Sequence, residues 1–413
     1  MTNAERPKKN QFDVVIIGGG MVGASMACAL ASLPIKIAIV EAFPFRSNNQ
    51  PSYDARSIAL AYGSKIIFET LGLWESLQQH ATPIQHIHVS NKGQFGVTRL
   101  HAKDENLEAL GYVIENRVLG NSLIEKLNQY SNIHLICPAK LDDLSIHDDY
   151  AELNITQNDE AIRLQSKLVI GADGGNSKVR EIIDIPEKTK AYKQTAVISN
   201  VTPGKPHNNI AYERFTNQGP IALLPMSDSR CSLVLTVNDE NRDEVMAMDD
   251  VAFLQYLEKR FGFRTGGFTK TSKRHAYPLS LMQIEEHYKP RVVIIGNAAH
   301  TLHPIAGQGF NLGLRDVAVL ADTLANAIVE QKDIGETSVL ENYAKLRNKD
   351  QKKVAFITDS LAKIYSNDFF PLAKARSKGL AATDLMPSIK HRVAKEAMGL
   401  VGKLPKLSRG LPL

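Results

Sequence analysis

Gly18, Gly20 and Gly23 stand in the spacing G-x-G-x-x-G, and Glu41 follows 18 residues after the last of them. A glycine at the first position permits a tight turn. The second lets the backbone approach a pyrophosphate, and the third lets a helix pack closely on a strand. The N-terminus of that helix offers free N–H groups and a positive dipole end to phosphate. A carboxylate at the end of the next strand, here Glu41, is placed to accept hydrogen bonds from a ribose. The chemistry is the holding of a dinucleotide, and this fingerprint alone does not separate NAD from FAD.

Two later segments repeat the pattern of an apolar strand running into glycines. Residues 167–180 read KLVIGADGGNSKVR, with Asp173 and Gly174 at the turn and Ser177 and Arg180 beyond it. Residues 291–316 read RVVIIGNAAHTLHPIAGQGFNLGLRD, with Gly296, Asn297, Pro304, Gly307, Gln308, Gly309, Asn311 and Asp316. Ser177 lacks a G-x-S-x-G elbow, so nucleophilic hydrolysis has no support. His300 and His303 have the spacing of a metal pair, but no further ligand set accompanies them, and no metal is expected. Tyr212 and Arg214 lie on an alternating strand and are candidates to face a substrate.

These motifs need elements to carry them. Residues 12–41 read as strand, helix and strand. The uncharged stretch 14–35 is long enough to span a bilayer, yet three consecutive glycines and Pro34 interrupt it. A strand–helix–strand unit buried on both faces is apolar throughout for its own reasons. Residues 57–80 read as helix, with Trp74 packed at its end, and 84–89 as strand. Residues 118–130 read as helix and 133–137 as strand, before a β-meander over 141–156 and 161–170. The pattern from 190 to 280 is β-rich, broken by one helix at 250–261. A short strand at 292–295 precedes a helix at 312–331, and the remainder is helical with breaks at Pro371, Pro387 and Pro405. The expected fold class is α/β: a Rossmann-like domain interrupted by a mostly β substrate domain and followed by C-terminal helices. The expected boundaries are 10–75, 101–183 and 275–345 for the first, 76–100 and 184–274 for the second, and 346–413 for the helical region.

Across the three motifs, over residues 12–330, the chain resembles the FAD-dependent aromatic hydroxylases, the para-hydroxybenzoate hydroxylase-like family. That family carries G-x-G-x-x-G, a central GADGxxSxxR and a late GDAAHxxxPxxGxGxN, in this order. The segments Asp54-x-Arg56-Ser57-Ile58-Ala59-Leu60, Glu213-Arg214-Phe215 with Gly219-Pro220, and Leu224-Pro225-Met226 are similar to a narrower branch. That branch, which includes the 2-polyprenyl-6-methoxyphenol hydroxylases, acts on polyprenyl phenols in ubiquinone biosynthesis. The resemblance implies that Gly18, Gly20, Gly23 and Glu41 hold the ADP half of FAD, with Arg56 near the flavin and pyrophosphate. It implies that Asp173 and Gly174 contact the cofactor region, and Gly296 and Asn297 the ribityl chain. Pro304 and Gly307, Gln308, Gly309 and Asn311 would line the flavin ring. NAD(P)H would reduce FAD, and O2 would enter the ring of a polyprenyl phenol through a flavin C4a-hydroperoxide. The family has Asp where this chain has Asn297, which removes a charge-assisted hydrogen bond and predicts weaker FAD affinity. A flavin reductase or oxidase of isoprenoid lipids, and a non-catalytic assembly subunit, are the competing readings.

The chain has 413 residues, 43% of them hydrophobic and 23% charged, which excludes collagen-like and wholly disordered classes. Its net charge of +5 is too mild for nucleic acid to be an expected partner. The charge is uneven: residues 341–413 carry 15 basic and 6 acidic side chains, while the rest carries 34 and 38. Cys28, Cys137 and Cys231 form no C-x-x-C pair and fit a reducing compartment. Residues 1–11 are polar and read as a short disordered arm rather than a secretory signal. In the tail, Val354, Ile357, Leu361 and Ile364, and then Val393, Ala397, Leu400, Val401 and Leu404, form apolar helix stripes. The basic helices are expected to meet either the catalytic body, an anionic membrane surface or a ubiquinone-synthesis complex. The expected location is cytoplasmic, with peripheral attachment to the inner face of the cytoplasmic membrane.

Overall fold

A computed structural model describes residues 10–44, 56–303, 307–365 and 370–413, without side chains for 362–376. Pro304, Asp54 and most of the N-terminal arm lie outside the described residues, as does the side chain of Ile364. The first layer is a parallel sheet. Strand Gln11–Ile17 lies between Ile37–Val40 and Glu160–Gly171, with Ile133–Ile136 and Val292–Ile294 outside them. Strict alternation sends Val14 and Ile16 into one core and Val15 and Ile17 into the other. Helices Met21–Leu30, Asn116–Leu127 and Gln308–Val329 cover the first face. The second face is covered by the meander Lys140–Ile146, Ala151–Gln157 and Glu160–Gly171. Burial on both sides accounts for the long uncharged stretch near the N-terminus. No helix among the described residues is long and apolar enough to cross a membrane.

The second layer is antiparallel apart from one parallel pair. Its spine is strand Glu187–Pro203, which pairs with Cys231–Asn238, Phe268–Thr271 and His275–Ile284. Beyond these lie Gly219–Pro225, Ile210–Thr216, His86–Asn91 and Val97–His101. Helix Asp250–Phe261 covers one face through Phe253, Leu257 and Phe261. His275–Ile284, assigned by sequence to the first domain, pairs instead along the spine of this second sheet. Hydrogen bonding decides its membership, and its sequence pattern is equally compatible with either sheet.

The helix expected over 57–80 is not continuous. Ser57–Ala61 is a strand paired with Gly111–Glu115, and Tyr62–Thr70 and Trp74–Leu77 are separate helices. Gly72, at φ +67°, ends the longer of these helices in a left-handed turn. The C-terminal helices fold back on the body. Helix Phe370–Leu385 runs along the free edge of Val97–His101, where Ser377 accepts the Gly96 N–H at 2.8 Å and Leu380 O accepts the Thr98 hydroxyl at 2.8 Å. Helix Pro387–Ala397 buries Ala394, followed by Met398, against Leu100, Ala102 and Leu110. Its Lys390 and His391 reach Asp104 and Glu105 at 3.1 and 2.6 Å. The buried face of this region is therefore Ala394 and Met398, whereas Val393 and Val401 of the expected stripe are exposed.

Gly96 is held so close to the helix that a Cβ would stand 2.1 Å from Ser377 O. Gly96→Ala should lower stability by about 1–3 kcal/mol and loosen helix Phe370–Leu385. A lower Tm, with faster tryptic cleavage after the exposed Lys378, is the expected outcome.

Candidate active site

The loop after strand Gln11–Ile17 is built from backbone contacts that exclude side chains. Gly18 has φ +101°, and a Cβ there would lie 2.5 Å from Ala172 O. A Cβ on Gly23 would lie 1.9 Å from Gly18 O. Gly20 has open space on its Cβ side and stands at the N-terminus of helix Met21–Leu30. Glu41 closes the loop: its Oε2 accepts the Gly19 N–H at 2.6 Å and its Oε1 the Phe43 N–H at 2.8 Å. Asp173 Oδ2 accepts the Lys178 and Val179 N–H groups at 2.7 and 3.1 Å, capping a short helix. Its Oδ1 is buried and has no partner among the described residues. Gly18, Gly20, Glu41, Asp173 and Gly174 line one cavity of about 510 Å³, so the sequence-predicted ADP-binding residues converge. Gly23 lies beneath them, in the strand–helix contact.

The second motif is tied to the third by Arg180. Ser177 Oγ accepts the Arg180 N–H at 3.0 Å, and the guanidinium donates to Gly175 O at 2.7 Å and Ala298 O at 2.8 Å. The guanidinium also pairs with Glu187 of the second sheet. In the third motif Gly296 has φ +62°, and its Cβ would meet Val22 Cγ1 at 3.0 Å. Asn297 follows it and is exposed. Gly307 has φ +60° and caps the 22-residue helix Gln308–Val329. Gly309, in the first turn of that helix, has open space on its Cβ side. Arg56 is exposed at the start of strand Ser57–Ala61, and its carbonyl accepts the Asn116 N–H at 3.2 Å.

Asn311 has a different role from the expected one. Its Oδ1 accepts from the Ala61 N–H and the Ser64 hydroxyl at 2.8 and 2.7 Å. Its Nδ2 donates to Ala59 O and Gly307 O, both at 2.8 Å. The amide is committed to the protein, so Asn311 staples the glycine loop to strand Ser57–Ala61 and presents no polar edge to a ring. Tyr212 and Arg214 also turn away from the expected place. Tyr212 packs edge-on to Phe261 at 5.7 Å, and Arg214 reaches Ser90, both on the face covered by helix Asp250–Phe261. On the opposite face, Ala211 and Met226 meet Ile84 and Val113.

A buried network beyond the motifs holds this loop. Asp316 is fully buried. Its Oδ2 accepts from the Gly296 N–H at 3.0 Å and from His300 Nε2 at 2.7 Å. Its Oδ1 accepts from Arg347 Nε at 2.7 Å and Gln351 Nε2 at 2.8 Å. Burial alone would raise the carboxyl pKa, but Arg347, His300 and Gln351 outweigh it and hold it well below the usual carboxylate range. His300 and His303 diverge: His300 is committed to Asp316, while His303 lies edge-on to Tyr192 at 5.1 Å. Both nitrogens of His303 are buried without a partner among the described residues, and burial pushes its pKa down to about 4. Arg347 and Gln351 escape motif reading because they lie outside all three motifs. Their signal is spacing: two polar side chains one turn apart, on a long helix that follows a motif ending in a buried acid.

The residues present fit FAD. The cavity beside Gly18 offers a helix N-terminus, the Glu41 carboxylate in its lining and an unused Asp173 carboxylate oxygen, which suit an ADP moiety. At the other end, Gly296 and Asn297 lead to the N-terminus of helix Gln308–Val329, whose positive end suits an electron-accepting ring.

Asn297→Asp should tighten FAD binding by about tenfold, because a neutral hydrogen bond to a hydroxyl becomes charge-assisted; flavin fluorescence titration of the apoprotein measures it. Asp316→Asn leaves the buried Arg347 cation with Asp350 as its remaining carboxylate partner and removes the charge that accepts from Gly296 and His300, which should cost about 2–4 kcal/mol of stability. Thermal unfolding should register that loss together with poorer FAD retention.

A family model described as "FAD binding domain" matches residues 11–356. The chain is 35% identical to a ubiquinone hydroxylase of Rhodospirillum rubrum, over 97% of this chain and 93% of that protein. It is 32% identical to the 3-demethoxyubiquinol 3-hydroxylase of Escherichia coli, over 94% and 98%. It is 31% identical to the human mitochondrial ubiquinone biosynthesis monooxygenase COQ6, over 92% and 91%. Among solved structures, p-nitrophenol 4-monooxygenase of Pseudomonas putida superposes with a TM-score of 0.79 at 17% identity, covering 95% of this chain and 99% of that one. PqsL of Pseudomonas aeruginosa, a probable FAD-dependent monooxygenase, does so at 0.73 and 21%, covering 91% and 100%. At these identities the structural likeness is one of fold. With the family model spanning most of its length and relatives above 30% identity covering nearly all of it, the chain belongs to the FAD-binding domain family of flavoprotein monooxygenases.

Proposed function

We propose that this protein hydroxylates the aromatic ring of a polyprenyl phenol in ubiquinone biosynthesis, using FAD, NAD(P)H and O2. The observation that carries the reading is the convergence of three separate motifs on one side of the parallel sheet, at the seam with the antiparallel sheet. The names of the relatives from Rhodospirillum rubrum, Escherichia coli and man support the substrate class.

Bound FAD supplies reduction by NAD(P)H and the activation of O2 for insertion into a phenol ring. The protein's part is to bind, orient and exclude. Gly18, Gly20 and the N-terminus of helix Met21–Leu30 receive the pyrophosphate, and Glu41 the ribose. Gly296 and Asn297 hold the ribityl chain. The first turn of helix Gln308–Val329 would offer a positive dipole end to the bound flavin ring, suited to the negative charge of its reduced form. Asn311 and Asp316 fix that turn from behind, so the helix end does not reorganise during the reaction. The apolar contacts of Ile84, Val113, Ala211 and Met226 close the antiparallel sheet against the small sheet of Thr82–Ile84, Ser57–Ala61 and Gly111–Glu115 and exclude water there.

The proposal extends to location: the cytoplasmic side of a membrane, where a polyprenyl substrate resides. The basic tail supports an anionic neighbour, either membrane lipid or a ubiquinone-synthesis complex.

Turnover with a polyprenyl phenol under 18O2 tests the reaction. Phenol-dependent NAD(P)H oxidation with 18O in the ring product is the expected result. Oxidation without labelled product would replace monooxygenation with a reductase or oxidase. A purified protein with no flavin absorbance near ~450 nm would favour the assembly subunit.

A further inference from the structure

The outer edge of the antiparallel sheet carries a surface for which the flavin chemistry has no use. The turn between His86–Asn91 and Val97–His101 ends in Phe95, which is fully exposed at 103%. The turn after helix Asp250–Phe261 begins with Phe263, 73% exposed. Two contacts join these turns: Lys92 Nζ donates to Lys259 O at 2.9 Å, and Arg264 Nη1 donates to His88 Nε2 at 2.6 Å. Bare phenylalanine rings on two tethered loops cost solvation free energy in water unless something covers them.

The rings are flanked by cations. Arg214 lies beneath the second turn, with its Nη2 3.9 Å from where a Gly262 Cβ would stand. Arg99 shares the sheet face with His88 and is met by Asp384 at 3.2 Å. Lys378 is exposed beside Ser377, whose hydroxyl is bound by the Gly96 N–H. Among the described residues, Lys92, Lys259, Arg214 and Arg264 have no carboxylate partner. The neighbouring charges are mutually repulsive: Arg264 and Arg99 add to burial in pushing His88 down to about 4, so His88 contributes no proton charge at neutral pH. Exposed rings to insert, ringed by unpaired guanidinium and ammonium groups, match a bilayer interface carrying anionic headgroups.

We propose that the Phe95 and Phe263 turns, with the exposed Lys92 and Arg264 beside them, dock the protein on an anionic lipid membrane. This deepens the polyprenyl reading above by naming the surface that reaches the lipid. It also relocates the contact, because the C-terminal helix Pro387–Ala397 spends its buried face on the body. The helix Phe370–Leu385 braces the hairpin edge from behind through Gly96, Thr98 and Arg99.

The test is co-sedimentation of the full-length flavoprotein with vesicles of phosphatidylcholine alone, or with about one third phosphatidylglycerol, at about 0.1 M and about 0.5 M salt. Binding to the anionic vesicles only, weakening at high salt, is expected. The double variant Phe95→Ser/Phe263→Ser should weaken it at least about tenfold, and Lys92→Glu/Arg264→Glu should do likewise. Flavin content and Tm of both variants should match the parent, which separates loss of docking from loss of fold. Equal binding by parent and double-Phe variant overturns the proposal, as does parent protein that ignores anionic vesicles. A sedimentation-velocity dimer that dissociates in the double-Phe variant also overturns it, since the rings then cover a second copy. Turnover of a short-chain soluble phenol reads the catalytic proposal separately: its failure with vesicle binding intact removes the ring hydroxylation and leaves the docking surface standing.

Discussion

A carboxylate sealed from water stands between the third glycine motif and the last long helix. Asp316 receives four hydrogen-bond donors, from Gly296, His300, Arg347 and Gln351. An isolated charge at such depth would neutralise or pull the fold apart. Here Arg347 keeps it ionised, and the ion pair is itself braced by Asp350 at 2.6 Å. The consequence reaches the site directly. The Gly296 N–H is fixed by the carboxylate, so the turn that leads into Asn297 is anchored to helix Thr337–Tyr365. The helical region after the motifs is thus part of the structural support for the cofactor loop.

The same economy runs through the glycines. Gly18 against the Ala172 backbone, Gly23 against the Gly18 backbone, and Gly296 against the Val22 side chain bring the three motifs together at close range. No side chain fits at these three glycines. Arg180 adds hydrogen bonds from the second motif to the third, and Asn311 adds others from the third motif to strand Ser57–Ala61. The binding surface is therefore assembled from main-chain groups with few rotatable parts, which suits a dinucleotide held by pyrophosphate and ribose contacts. Preorganised donors of this kind stabilise charge without reorienting when it appears.

Charge is distributed by layer. Within the body, charged residues are paired across elements: Arg180 with Glu187, Arg230 with Glu115, Arg291 with Asp333. The basic tail is partly spent in the same way, through Lys353 with Glu396, Lys390 with Asp104 and His391 with Glu105. The total of +5 hides this arrangement, since cations without a carboxylate partner among the described residues lie beside Phe95 and Phe263 as well as in the tail, at Arg392, Lys395 and Lys403.

The linear spacing of Gly18, Gly20, Gly23 and Glu41 determined the first glycine loop by itself, because a turn, a helix start and a strand end are local events. The helix at 250–261, the meander and the parallel strands were equally legible, since their periodicity lies within a dozen residues. The order of the motifs determined the family for the same reason. Tertiary structure alone decided what those motifs lean on. Asn311 looked like a ring contact until its amide was found bonded to Ala59 and Ala61, some 250 residues away in sequence. Strand alternation placed Tyr212 and Arg214 on one face, but only the packing of helix Asp250–Phe261 decided that this face looks away from the flavin seam. Arg347 and Gln351 read as polar residues on an ordinary helix until Asp316 was placed opposite them. A buried charge takes its partner from whatever folds against it, and that neighbour is a property of the packed chain rather than of any local stretch of sequence.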